Sequence, residues 1–256
     1  MQKALIVSSF TAVACAIFSC FLVLKGWSLM GDAISHAVLP GIGLSVLIGL
    51  PISLGAFLAG IFCVWATLFL KNHSRVKEDV TLGVVFSGMF AVGLVLVTKL
   101  NSNLDIFHIL FGNVLGVSSN DFAEVLIISV LCSLFMLVKK HDLLFSCFDK
   151  YGAVSVGVSV KLMNFALLTL LALLIISSLK SVGILLAIAM LVTPGATGFL
   201  LAKSFNKMLT IAILVAFLSS FTGILVSFHI DAASSATIVL MQSVMFGLAF
   251  MFRQQK

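Results

Sequence analysis

The stretch MLTIAILVAFLSSFTGILVSF, residues 208–228, contains no charged side chain and has the length, about 20 residues, that a helix needs to cross ~30 Å of hydrocarbon. Working outward from it, eight further apolar runs bounded by polar residues lie near 4–24, 30–48, 53–70, 80–98, 122–138, 157–178, 182–200 and 236–252. Ile106 to Val117 is too short to cross and contains Gly112-Asn113, so it is expected to be a re-entrant or surface helix. Composition agrees: 61% of the chain is apolar and 9% charged, against about 25% charged in a soluble domain. An outer-membrane barrel would alternate apolar and polar residues in segments of about ten, and the unbroken runs exclude it. The fold expected is an all-α polytopic membrane protein, one domain over residues 1–256, with nine spans, or eight if 30–48 dips in and returns.

The cations orient this bundle. Lys25, the segments 71–79, 139–161 and 203–207, and the tail with Arg253 and Lys256 hold 12 of the 15 Lys and Arg residues, and all fall on one side. By the positive-inside rule that side is the cytoplasm, which places the C-terminus inside and Lys3, Lys99 and Lys180 outside. The net charge of +6 is thereby explained by topology, and nucleic-acid binding is not expected; lipid is the solvent. Ala12-Val13-Ala14 superficially fits a signal cleavage site, but the apolar run continues to Leu24 and reads as a retained first span. Cys15, Cys20, Cys63, Cys132 and Cys147 show no C-x-x-C spacing and read as small buried hydrophobes.

The longest polar segment, Lys139 to Lys161, contains FDKYGAVSVGV at 148–158. Phe148, Tyr151, Ala153, Val154 and Val156 would be wasted on water, so a short helix that docks a partner is expected there. No phosphate loop, H-E-x-x-H or G-x-S-x-G occurs, so neither ATP hydrolysis of the P-loop kind nor zincin or esterase chemistry is encoded.

A carboxylate inside a span is costly and therefore a functional lead. In LMGDAISHAVLPGIG, residues 29–43, Asp32 and His36 stand at i and i+4 and share one helix face. Carboxylate and imidazole together suit a divalent transition ion better than calcium. Pro40 lacks the amide that would engage the His36 carbonyl, and with Gly41 and Gly43 it implies a broken helix of the kind that presents backbone groups to a transported substrate. The alternative is that Asp32 caps a helix beginning after Gly31 while His36 bonds a neighbouring span. His229 and Asp231, at i and i+2 near an outer boundary, do not share a face, and a solvated loop accounts for them, as it does for His108; metal contact is the alternative for all three. Glu78 and Asp79 complement the dipole at a helix start. Pro194 implies a second break.

GWSLMGDAISHAVLPG, KEDVTLGVVFSGMFAVGL, DIFHILFGN, SVGILLAIAMLVTPGATGFLL and FHIDAASSATIVL, in this order, resemble the permease subunits of bacterial metal-ion ABC importers over nearly the whole chain. The similarity is greater to the manganese and iron branch than to the zinc branch. Members usually carry additional residues before the segment matching MQKALI, and Ser235 stands where they usually have Gly. The resemblance implies an inner-membrane homodimer, two separate cytoplasmic ATPase subunits and a periplasmic or surface metal-binding protein. It also implies that Asp32 and His36 line the metal path and that Phe148, Asp149, Tyr151, Val154 and Gly157 belong to the segment that couples to the ATPase. The function expected is alternating-access import of Mn2+ or Fe2+, with Zn2+ import or a passive metal channel as alternatives, and with no permanently bound cofactor.

Overall fold

The computed structural model describes residues 2–73, 78–99, 119–179 and 181–254; His108 and the short apolar piece at 106–117 lie outside them. Among the described residues every regular element is a helix: α1 (Gln2–Lys25), α2 (Met30–Ala37), α3 (Leu39–Ile48), α4 (Ile52–His73), α5 (Glu78–Lys99), α6 (Ser119–Val138), α7 (Lys140–Phe148), α8 (Lys150–Ser155), α9 (Val160–Leu179), α10 (Ile184–Leu201), α11 (Phe205–Ile230) and α12 (Ser234–Gln254). Among the described residues, eight stretches are long and apolar enough to cross a membrane by the same measure of length and composition, Met30–Ile48 counting as one. The apolar part of α5, Val80–Leu96, is shorter than these, with Glu78, Asp79 and Lys99 at the ends of the helix, and stands at the lower limit of what crosses hydrocarbon. The stretch at 30–48 does not dip in and return: Val38, between α2 and α3, keeps helical dihedrals (φ −72°, ψ −24°), and the Ile42 amide resumes bonding to its carbonyl at 3.1 Å.

α1 is the hub. Nearly every residue from Thr11 to Leu22 is buried, as expected of a helix apolar on all sides, and it packs on α6, α10 and α11. α11 and α12 form a hairpin closed by Ser227 and Ser234, whose hydroxyls lie 2.8 Å apart. On the other side, α2 packs on α4, α5, α9 and α10, and α3 on α4 and α5. Without a hydrophobic force between helices in lipid, close approach through small residues does this work. A Cβ on Gly41 would overlap the carbonyl oxygen of Gly55 in α4, and one on Gly93 would come within 2.7 Å of the Pro40 nitrogen. Helices α3, α4 and α5 therefore meet at the proline break.

Two prolines have different outcomes. Pro40 sits in the first turn of α3, where a missing amide costs nothing, and the helix is interrupted just before it. Pro194 lies inside α10, which runs through it unbroken, so no second break forms. Ser19 of α1 supports this turn: its hydroxyl accepts the Gly195 N–H at 2.9 Å and donates to the Val192 carbonyl at 3.2 Å. The disturbed turn is thus re-satisfied by a neighbouring helix, as buried backbone in lipid requires. All five cysteines are free, four of them buried.

The cation-bearing segments meet at one end of the bundle. Lys25 bonds Asn164 of α9, Lys25 and Lys71 lie 4.9 and 5.4 Å from the centre of the Trp27 ring, and Lys140 donates to Asn206 at the start of α11 (3.1 Å). The opposite end of α11, a helix of 26 residues, is about 39 Å away at 1.5 Å per residue. A thiol at position 232 and one at position 141 should therefore lie across the membrane from one another. Burial pushes the native Cys147 thiol up, with Lys25 and Ser146 opposing only in part, so background reaction should be low. With an impermeant maleimide on intact cells, one of Ala232→Cys and His141→Cys is expected to label and the other to stay protected, and the positive-inside expectation makes the labelled one Ala232→Cys; labelling of both would contradict this arrangement, and labelling of His141→Cys alone would reverse the orientation.

Candidate metal site

The decisive local feature is α2, eight residues long. Met30, Gly31, Ala33, Ile34, Ser35 and Ala37 are buried, which leaves Asp32 and His36 as the one partly open stripe. The Ser35 hydroxyl donates to the Gly31 carbonyl at 2.7 Å and so is spent within the helix. Asp32 does not cap: the helix begins at Met30, with Leu29 in the cap position and no side-chain cap hydrogen bond. Asp32 Oδ1 instead lies 3.3 Å from His36 Nε2, and the two side chains are 35% and 30% exposed. The His36 carbonyl, which Pro40 cannot engage, accepts the Val38 N–H.

Depth follows from neighbours. Gly31 abuts Leu191, and Ile34 approaches Gly60 beside Ala172 and Ile176 of α9; Leu191 and Gly60 stand near the middle of α10 and α4. The His36 ring lies against Phe86 and Phe90 near the middle of α5, with centroids at 6.4 and 5.3 Å and the second contact edge-on. The carboxylate and imidazole therefore stand about halfway through the bundle. A donor separation of 3.3 Å is what two bonds of about 2.1 Å to one metal ion would subtend at an angle of about 100°.

The other candidates are elsewhere. His229, in the last turn of α11, places Nδ1 2.8 Å from the Leu225 carbonyl of its own helix. Asp231 follows in a left-handed turn (φ 52°), and both are exposed at the end of the bundle. Among the described residues, no three His, Cys, Asp or Glu side chains gather as a ligand set. A groove of about 730 Å3 between α3, α4 and α5 reaches Pro40 and Gly41, yet no acid, histidine or cysteine lines it, so it offers a metal neither a carboxylate, an imidazole nor a thiolate.

The segment 139–159 forms α7 and α8. Asp149 caps α8, its Oδ1 accepting the Gly152 N–H at 2.8 Å, and Gly157 ends the segment with φ 85°. Ala153 and Leu143 are buried and anchor it, while Tyr151 is 92% exposed and Phe148, Val154 and Val156 project beside it. Tyr151, Val154, Gly157 and Lys161 border a depression of about 580 Å3. The contact of Phe86 and Phe90 with His36 was not read from the sequence, although their i, i+4 spacing in VVFSGMF was a usable signal.

Over residues 1–253 the chain matches the model of the ABC 3 transport family. It is 49% identical to the chelated iron transport system membrane protein YfeD of Yersinia pestis, over all of this chain and 86% of the relative. It is 44% identical to the manganese transport system membrane protein MntB of Synechocystis sp., over 96% of this chain and 81% of the relative. PsaBC from Streptococcus pneumoniae, solved in complex with a Fab, superposes with a TM-score of 0.86 at 34% identity over 97% of this chain and 90% of that one. With a helical bundle of at least eight candidate spans, a mid-depth Asp–His pair and this match along nearly its whole length, the chain belongs to the ABC 3 transport family, as a multi-pass permease.

Proposed function

We propose that this permease imports a divalent transition metal, Mn2+ or Fe2+, and that Asp32 and His36 are its ligands at the midpoint of the path. The observation that carries this reading is the paired carboxylate and imidazole on the single open stripe of α2. The manganese and chelated-iron systems named for the relatives support the choice of metal. The Asp32 charge offsets the loss of the ion's water, and the His36 nitrogen disfavours Ca2+ and Mg2+. A second copy of the chain covers the open stripe, since a half-exposed charge at mid-depth is untenable against lipid. A metal-binding protein delivers the ion on the outer side, and two cytoplasmic ATPase subunits dock on Phe148, Tyr151 and Val154, with Asp149 and Gly157 shaping that surface. The C-terminus lies in the cytoplasm with the clustered cations. The α2–α3 interruption supplies a pivot at which one end of the path can open while the other closes. A Zn2+ permease would use the same donors; a passive channel would have no use for the exposed apolar surface of α8.

Asp32→Asn keeps the shape but removes the charge, so uptake of labelled manganese into cells lacking other importers should fall to background. His36→Gln should do the same, with membrane abundance unchanged in both. Near-normal uptake by both variants would reject these residues as ligands. At the other site, Tyr151→Asp combined with Val154→Asp places uncompensated charge in an interface. Co-purification of the ATPase should be lost while the chain still inserts; full recovery of the ATPase would place the coupling surface elsewhere.

A further inference from the structure

A histidine that binds metal is ordinarily held in orientation by a hydrogen bond from its second nitrogen to a carboxylate or carbonyl. His36 has a different arrangement. Its polar contact among the described residues is Asp32, through Nε2 at 3.3 Å, and in the reading above Asp32 is itself a ligand. Once both side chains turn to the ion, that contact no longer fixes the imidazole plane. What remains is Phe90, whose ring lies at 81° to the imidazole with centroids 5.3 Å apart, the edge-to-face geometry that aromatic pairs prefer. Phe86 lies farther away, at 6.4 Å and tilted by 30°.

Phe90 is not a core residue. It is 37% exposed and stands outside the buried cluster, whereas Phe86 packs against that cluster. Exposure is common among the apolar side chains of this bundle; what sets Phe90 apart is that its ring meets the candidate ligand edge-on. We propose that Phe90 is a positioning residue, an aromatic wall that holds the His36 imidazole in the plane required for metal ligation. The inference rests on the metal-site reading and adds to it a residue that touches no ion.

The test uses the permease assembled with its ATPase in lipid nanodiscs, loaded with Mn2+ and without the delivery protein. Electron spin echo modulation from 14N reports imidazole bound to the ion. The unsubstituted complex should show this modulation and His36→Gln should lack it; its absence from the unsubstituted complex would overturn the site reading and this inference together. Phe90→Leu keeps bulk without a flat ring. It should lose at least half of the modulation depth and raise the Mn2+ half-saturation concentration about tenfold, while Phe90→Tyr stays within about twofold. Phe86→Leu, the control at the more distant ring, should also stay within about twofold. If His36→Gln abolishes the modulation but Phe90→Leu leaves both quantities unchanged, the positioning role is overturned and the site reading stands. Equal effects of Phe86→Leu and Phe90→Leu would likewise overturn it, because a general loosening of α5 would then explain both.

Discussion

A carboxylate halfway through a membrane-spanning bundle is the constraint around which the rest is arranged. On insertion scales an Asp there costs about 2.5–3.5 kcal/mol, and Asp32 meets that cost with an imidazole one turn away at 3.3 Å and with a helix whose every other side is buried. Helices α4, α5, α9 and α10 pack against α2, and the open stripe that remains is polar. The short length of α2 and the interruption at Val38 belong to the same arrangement, because a helix break is tolerated in lipid only where protein or a watered path surrounds it. Gly41, Gly55 and Gly93 bring the surrounding backbones close enough to provide that cover.

The contrast between Pro40 and Pro194 shows what sequence alone could and could not say. Both prolines remove one amide, and local reasoning gives a break at each. The break at Pro40 was legible because a proline two residues into a new helix is a local matter. The continuity of α10 was not, because the support of its proline turn comes from Ser19, 176 positions from Gly195. Similarly, the apolar runs gave the helices to within a few residues, since lipid makes length and apolarity nearly sufficient.

The candidate site was half legible. Asp32 and His36 declare themselves by spacing and by the cost of their burial, both properties of one helix. The aromatic neighbours on α5, the depth of the pair and the openness of its stripe depend on how helices distant in sequence pack. The exposed row on α8 was readable as apolar residues in a basic segment, whereas the anchoring role of Ala153 needed the fold. His229 and Asp231 stand near the end of α11, away from the mid-depth pair, in keeping with a spacing that never placed them on one face.

The claim on which the account turns is that one ion joins the carboxylate of Asp32 to the imidazole of His36. Anomalous scattering at the manganese edge, from crystals of the assembled complex soaked in Mn2+, measures this directly. The account predicts a peak within about 2.2 Å of an Asp32 carboxylate oxygen and of a His36 ring nitrogen. A manganese peak away from both residues, with Asp32 and His36 still contacting only one another, would contradict it.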